Sequence, residues 1–116
     1  MINLRDYKLR KGLTEKQLAN NGFRGGKFRC WIYKNLIQLQ IEVDLEDSWW
    51  TYRICDANTD RLYSSYYDRE YGVNRVVEEI DKTFEKIMDE MITAKIFYKR
   101  GDKRTNGKRN RKVLQS

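Results

Sequence analysis

The chain has 116 residues, room for one domain with one modest hydrophobic core. Its 40% apolar and 35% charged side chains describe a globular unit rather than a wholly disordered one, and no apolar run approaches the roughly 18 residues needed to span a bilayer. Histidine is absent, which excludes histidine-based acid–base catalysis and leaves structural zinc needing four cysteines or carboxylates at a spacing the chain does not have. The net charge of +7 is strongly partitioned. Residues 1–34 hold nine basic and two acidic side chains, residues 35–98 hold seven and fourteen, and residues 99–116 hold eight and one. An acidic middle thus lies between two basic ends.

In chain order, residues 1–11 read as a short helix or irregular arm with Leu4, Tyr7 and Leu9 as its apolar positions. The segment has no uninterrupted apolar run of the signal-peptide kind, so the expected location is the cytoplasm. Thr14 is a predicted N-cap, and Gln17 three residues later completes a capping box. The resulting helix covers 15–20, ends at Asn20, Asn21 and Gly22, and docks through Leu13, Leu18 and Phe23. Residues 10–19, RKGLTEKQLA, resemble the opening of helix-turn-helix repressors. A recognition helix should follow, and Gly22, Phe23, Arg24, Gly25 and Gly26 stand there instead, so the geometry for reading a major groove is missing.

Strands follow. The first is predicted over 27–34, with Phe28, Cys30 and Ile32 on one face and Arg29, Trp31 and Tyr33 on the other. The second, over 37–45, alternates strictly: Ile37, Leu39, Ile41, Val43 and Leu45 against Gln38, Gln40, Glu42, Asp44 and Glu46. One oily and one wet acidic face mark an antiparallel sheet covered on one side. The third covers 49–55, with Trp50, Tyr52 and Ile54 opposed to Trp49, Thr51, Arg53 and Cys55. A turn through Asp56–Asn58–Asp60 imitates the start of a calcium loop, but Arg61 and Tyr67 stand where the glycine and glutamate belong. A fourth strand is predicted over 61–67. The meander then meets a long helix over 74–97, capped by Asn74, whose Val76, Val77, Ile80, Phe84, Ile87, Met88, Met91 and Ile92 form one apolar stripe. After Tyr98 the periodicity stops.

The predicted architecture is therefore α+β: a short N-terminal helical region, a four-stranded antiparallel meander, one long helix on one sheet face, and a disordered basic tail. The expected domain is 1–98 and the tail 99–116. Cys30 and Cys55 are expected as reduced, structural thiols in a cytoplasmic setting.

Two surfaces are candidates for function. The outer sheet face offers Arg29, Trp31, Tyr33, Trp49 and Arg53, the residue types that dominate protein interfaces. Aromatics interleaved with arginine also suit base stacking, but strand two adds carboxylates to that face, which repel phosphates. The second surface is basic: Arg24, Lys27, Lys99, Arg100, Lys103, Arg104, Lys108, Arg109, Arg111 and Lys112, where cationic side chains gain phosphate contacts by counterion release. The leading expectation is a non-catalytic accessory protein, with no cofactor or metal, that binds a protein partner or a second copy of itself. The alternative is a nucleic-acid-binding protein using the basic N-terminal segment and the tail. The Lys, Asn, Ile and Tyr usage is that of an AT-rich genome and fits a bacterial or phage accessory gene.

Overall fold

The structure is a computed structural model, and it describes residues 3–32, 36–67 and 75–101. A 3-10 turn, Leu4–Asp6, leads into β1 (Tyr7–Leu9). Then come α1 (Glu15–Asn20), β2 (Phe23–Arg24), β3 (Lys27–Ile32), β4 (Ile37–Asp44), β5 (Trp49–Asp56), α2 (Ser64–Tyr67), α3 (Arg75–Thr93) and β6 (Phe97–Lys99). Strands β2-β3-β4-β5 form one antiparallel sheet in sequence order, and β1 pairs with β6 in a separate ribbon. Among the described residues no helix is long and apolar enough to cross a membrane.

The alternation of β4 decides which side of the sheet is dry. Ile37, Leu39, Ile41 and Val43 are buried, and register places them beside Ile32 and Phe28 of β3 and beside Ile54, Tyr52 and Trp50 of β5. Across this face lies α3, burying Val77, Ile80, Phe84, Met88, Met91 and Ile92. The Phe84 ring meets Tyr52 edge-on, centroids 4.6 Å apart. Each such side chain contributes about 1.5–3 kcal/mol relative to exposure, which is why an amphipathic stripe with acidic flanks commits to this packing. The capping box of α1 forms as expected: Thr14 Oγ1 accepts from the Gln17 N–H, and Gln17 Oε1 accepts from the Thr14 N–H.

Four expectations need correction. The fourth strand of the sheet is β2, not residues 61–67. Gly25 and Gly26, with φ of 59° and 82°, make the two-residue turn that folds β2 onto β3, because a tight hairpin demands left-handed backbone at both central positions. Residues 61–67 begin as the predicted strand, with one bridge from Leu62 to Cys55, and then coil into α2. Their apolar residues, Leu62, Tyr63, Tyr66 and Tyr67, recur at helical rather than alternating spacing. Tyr66 is thereby buried in the core, its hydroxyl donating to Asp81 Oδ1.

The long helix stops at Thr93 rather than 97. Lys95 takes φ of 66°, and the Lys95 and Ile96 N–H groups donate to the carbonyls of Ile92 and Met91, a Schellman closure with lysine where glycine is usual. The N-terminal arm is not a helix beyond its first turn, since Tyr7–Leu9 pairs with Phe97–Lys99. Accordingly Lys99 and Arg100 belong to ordered structure, not to the tail: Lys99 is in register with Tyr7, and the Arg100 N–H donates to the Asp6 carbonyl. The rest of the predicted tail, and the proposed Asn74 cap, lie outside the described residues.

Candidate functional site

The outer face of the sheet is ordered in rows by strand register. Trp31, Gln38 and Cys55 form one row, Arg29, Gln40 and Arg53 the next, and Lys27, Glu42 and Thr51 the third. Asp44 beside Trp49 ends the face. Neighbouring strands are about 4.8 Å apart and successive rows about 7 Å apart.

One end of this face is covered. The 57–62 segment folds back over it: the Ala57 N–H donates to the Leu36 carbonyl, and the Asp56 N–H to that of Arg61. Gln38 and Cys55 are buried in consequence, although alternation alone puts them on the wet side. Gln38 is kept satisfied by a relay in which Gln40 Nε2 donates to Gln38 Oε1, and Gln38 Nε2 donates to Asp60 Oδ1 at 3.3 Å. Asp60 reaches that position with φ of 60°. Asp56 holds the turn by accepting from the Asn58 and Thr59 N–H groups at 2.7 and 3.2 Å, so the calcium-like acid–amide–acid run is a turn.

The middle rows stay open. Lys27, Arg29, Gln40, Glu42, Arg53 and Asp60 border a basin of about 230 Å³. Its three cations outnumber its two carboxylates. Burial pushes the neighbouring Cys55 thiol up, with Asp60 adding to that push and Arg53 and then Arg29 opposing it.

The four described residues of the predicted interface share this face without forming one patch. Arg29, Trp31 and Arg53 fall in adjacent rows. Trp31 is 53% exposed and also borders a groove of about 400 Å³ between β3 and α3, where Cys30, Ile87 and Met91 lie. Trp49, 43% exposed, pairs with Asp44 six residues along β4 from the partner of Trp31, about 20 Å away. Tyr33 lies outside the described residues. The two cysteines point to opposite faces and have β4 between their strands, so they are not disulfide partners. What sequence reasoning missed is the role of Gln38, Gln40 and Asp60, because the loop that brings Asp60 over the sheet leaves no periodic signal.

The basic residues divide into two places. Arg24 and Lys27 are exposed and paired at the β2–β3 hairpin. Lys99 lies with its Nζ over the Tyr7 ring, 5.7 Å from the centroid, and Arg100 is exposed beside it. Strand pairing sets these two against the N-terminal segment that carries Arg5, Lys8, Arg10 and Lys11. Lys103, Arg104, Lys108, Arg109, Arg111 and Lys112 lie outside the described residues. Compared with family models, curated proteins and solved structures, the chain matches none of them.

Proposed function

We propose that this is a non-catalytic accessory protein that binds another protein through the outer face of its sheet, with regulation or assembly as the consequence. The observation that carries this reading is the open row of Arg29, Gln40 and Arg53, with exposed Trp31 in the next row, on a face whose other side packs against α3. Exposed tryptophan beside arginine on a rigid sheet is the composition of a protein-binding centre. Glu42 and Asp44 on the same face disfavour a polyphosphate backbone there. The test is affinity capture from host extract after nuclease treatment, using wild type, Trp31→Ala and Arg29→Ala, with the captured protein then repurified and titrated. A complex that survives nuclease and weakens at least tenfold in both variants supports the reading, whereas unchanged affinity in both sinks it.

A second reading, nucleic-acid binding, is favoured by the pairing of β1 with β6. That ribbon gathers Arg5, Lys8, Arg10, Lys11, Lys99 and Arg100 against Asp6, and the basic run continues in sequence after Gly101. This reading predicts binding of unrelated DNA or RNA that falls steeply with salt and is lost when residues 102–116 are removed. A salt-insensitive or absent shift dismisses it.

A further inference from the structure

Two arginines flank one neutral amide in the centre of the outer face. Register puts Arg29 and Arg53 directly across from Gln40, one on each side, so their backbones stand about 10 Å apart and both stems are long enough to lean over the amide between them. Gln40 is held from the adjoining row, since its Nε2 is engaged with Gln38 and Gln38 in turn with Asp60. The floor of the basin is thus fixed while its two cationic walls are exposed. Lys27 adds a third positive charge, and Glu42 and Asp60 subtract two. The surplus is one positive charge.

That balance selects among anions. A guanidinium fork matches a carboxylate in two parallel hydrogen bonds, and a singly charged carboxylate neutralises the surplus. A phosphate dianion brings a second charge against Glu42 and Asp60. The cavity of about 230 Å³ suits one acidic side chain better than a drug-sized ligand, whose pockets begin near 300 Å³. Trp31, in the adjoining row, offers a flat apolar surface to the residue next to it.

We propose that Arg29 and Arg53 form a carboxylate clamp over Gln40 that takes a Glu or Asp side chain from an acidic segment of the protein partner. The clamp rests on the protein-binding reading of this face and names the chemistry that the partner presents.

The test titrates the full-length protein with a fluorescein-labelled poly-Glu peptide at low salt, following anisotropy and the 15N signals of the Gln40 side-chain amide and the arginine Nε–H groups. Parallel titrations use poly-Gln, inorganic phosphate and oligo-dT. Poly-Glu is expected to move the Gln40, Arg29 and Arg53 signals, and poly-Gln is not. Arg29→Gln and Arg53→Gln should each weaken binding about tenfold, and Arg100→Gln should leave it unchanged; dispersed amide spectra confirm that each variant is folded. The clamp is overturned by any of three results: no poly-Glu binding, poly-Glu binding indifferent to both arginine variants, or a preference for phosphate or oligo-dT. A nuclease-resistant protein complex that needs Trp31 but neither arginine removes the clamp and leaves the function standing. Loss of every complex on nuclease treatment removes the function itself.

Discussion

A methyl group on Gly26 would stand 2.7 Å from the carbonyl oxygen of Val43, at the point where the Val43 N–H donates to the Gly26 carbonyl at 2.8 Å. Neither backbone can retreat without breaking the β2–β3 turn or the end of β4. Gly26→Ala is therefore expected to lower stability by about 2–3 kcal/mol in urea denaturation. Gly25→Ala, whose added methyl meets open space, should cost only the left-handed backbone term, roughly 1–2 kcal/mol. Cys30 gives a pH prediction at the same scale. Burial, with Glu90 beside it, pushes this thiol from 9.0 up to about 11. A folded state that holds its proton more tightly than the unfolded one keeps its full advantage below the unfolded value and loses it as pH rises. The urea midpoint should thus fall between pH 9 and about 11, and Cys30→Ala should make that fall shallower.

At the scale of elements, two ends were decided by tertiary needs. Helix α3 closes on Lys95 because Ile96 must turn into the core, where it is wholly buried, and deliver Phe97 to the ribbon. Lys95→Gly keeps the closure and removes the strain of a left-handed lysine, so a net gain of roughly 0.5–1 kcal/mol is expected after the flexibility cost of glycine. The residues that looked like a fourth strand face a different demand. At Ile54 the edge of β5 is completed by a side chain: the Ile54 N–H donates to Tyr67 Oη at 2.9 Å, while the Ile54 carbonyl accepts from the Tyr63 N–H at 2.8 Å. Tyr67→Phe leaves that amide without a partner in a buried residue. The expected loss is about 1–3 kcal/mol, together with faster hydrogen exchange at Ile54, read by NMR.

For the whole molecule, the β1–β6 ribbon is tied to the main sheet by Trp50. Its Nε1 donates to the Tyr7 carbonyl at 3.1 Å, and its ring lies 4.8 Å from that of Phe97. Trp50→Phe keeps an aromatic in place but strips the donor, so a cost of about 1–2 kcal/mol is expected, with the ribbon amides of Tyr7 to Leu9 exchanging earlier than those of β4. Lys8, Lys99 and Arg100 lie on or next to this ribbon, whereas Lys27, Arg29 and Arg53 belong to the mixed-charge basin of the sheet. A protein-binding face and a polyanion-binding ribbon are for that reason separable by mutation: Arg53→Gln should leave any salt-dependent oligonucleotide shift unchanged, and Lys8→Gln with Arg100→Gln should weaken that shift while sparing the sheet face.

By itself the sequence determined whatever depends on periodicity and local chemistry. The strict alternation of Ile37, Leu39, Ile41 and Val43 chose the dry face. The stripe from Val77 to Ile92 chose its cover, and Thr14 with Gln17 fixed the start of α1, because each signal is carried by neighbours within a turn or two of chain. Tertiary structure alone decided that Tyr7–Leu9 finds Phe97–Lys99, and that Asp60 comes to rest over Gln38. Those pairings join residues whose partners are set by burial and hydrogen-bond satisfaction across the folded chain, and no local pattern encodes them. The candidate site inherits the same division: alternation put Arg29, Gln40 and Arg53 on one face, and only strand register made them a row.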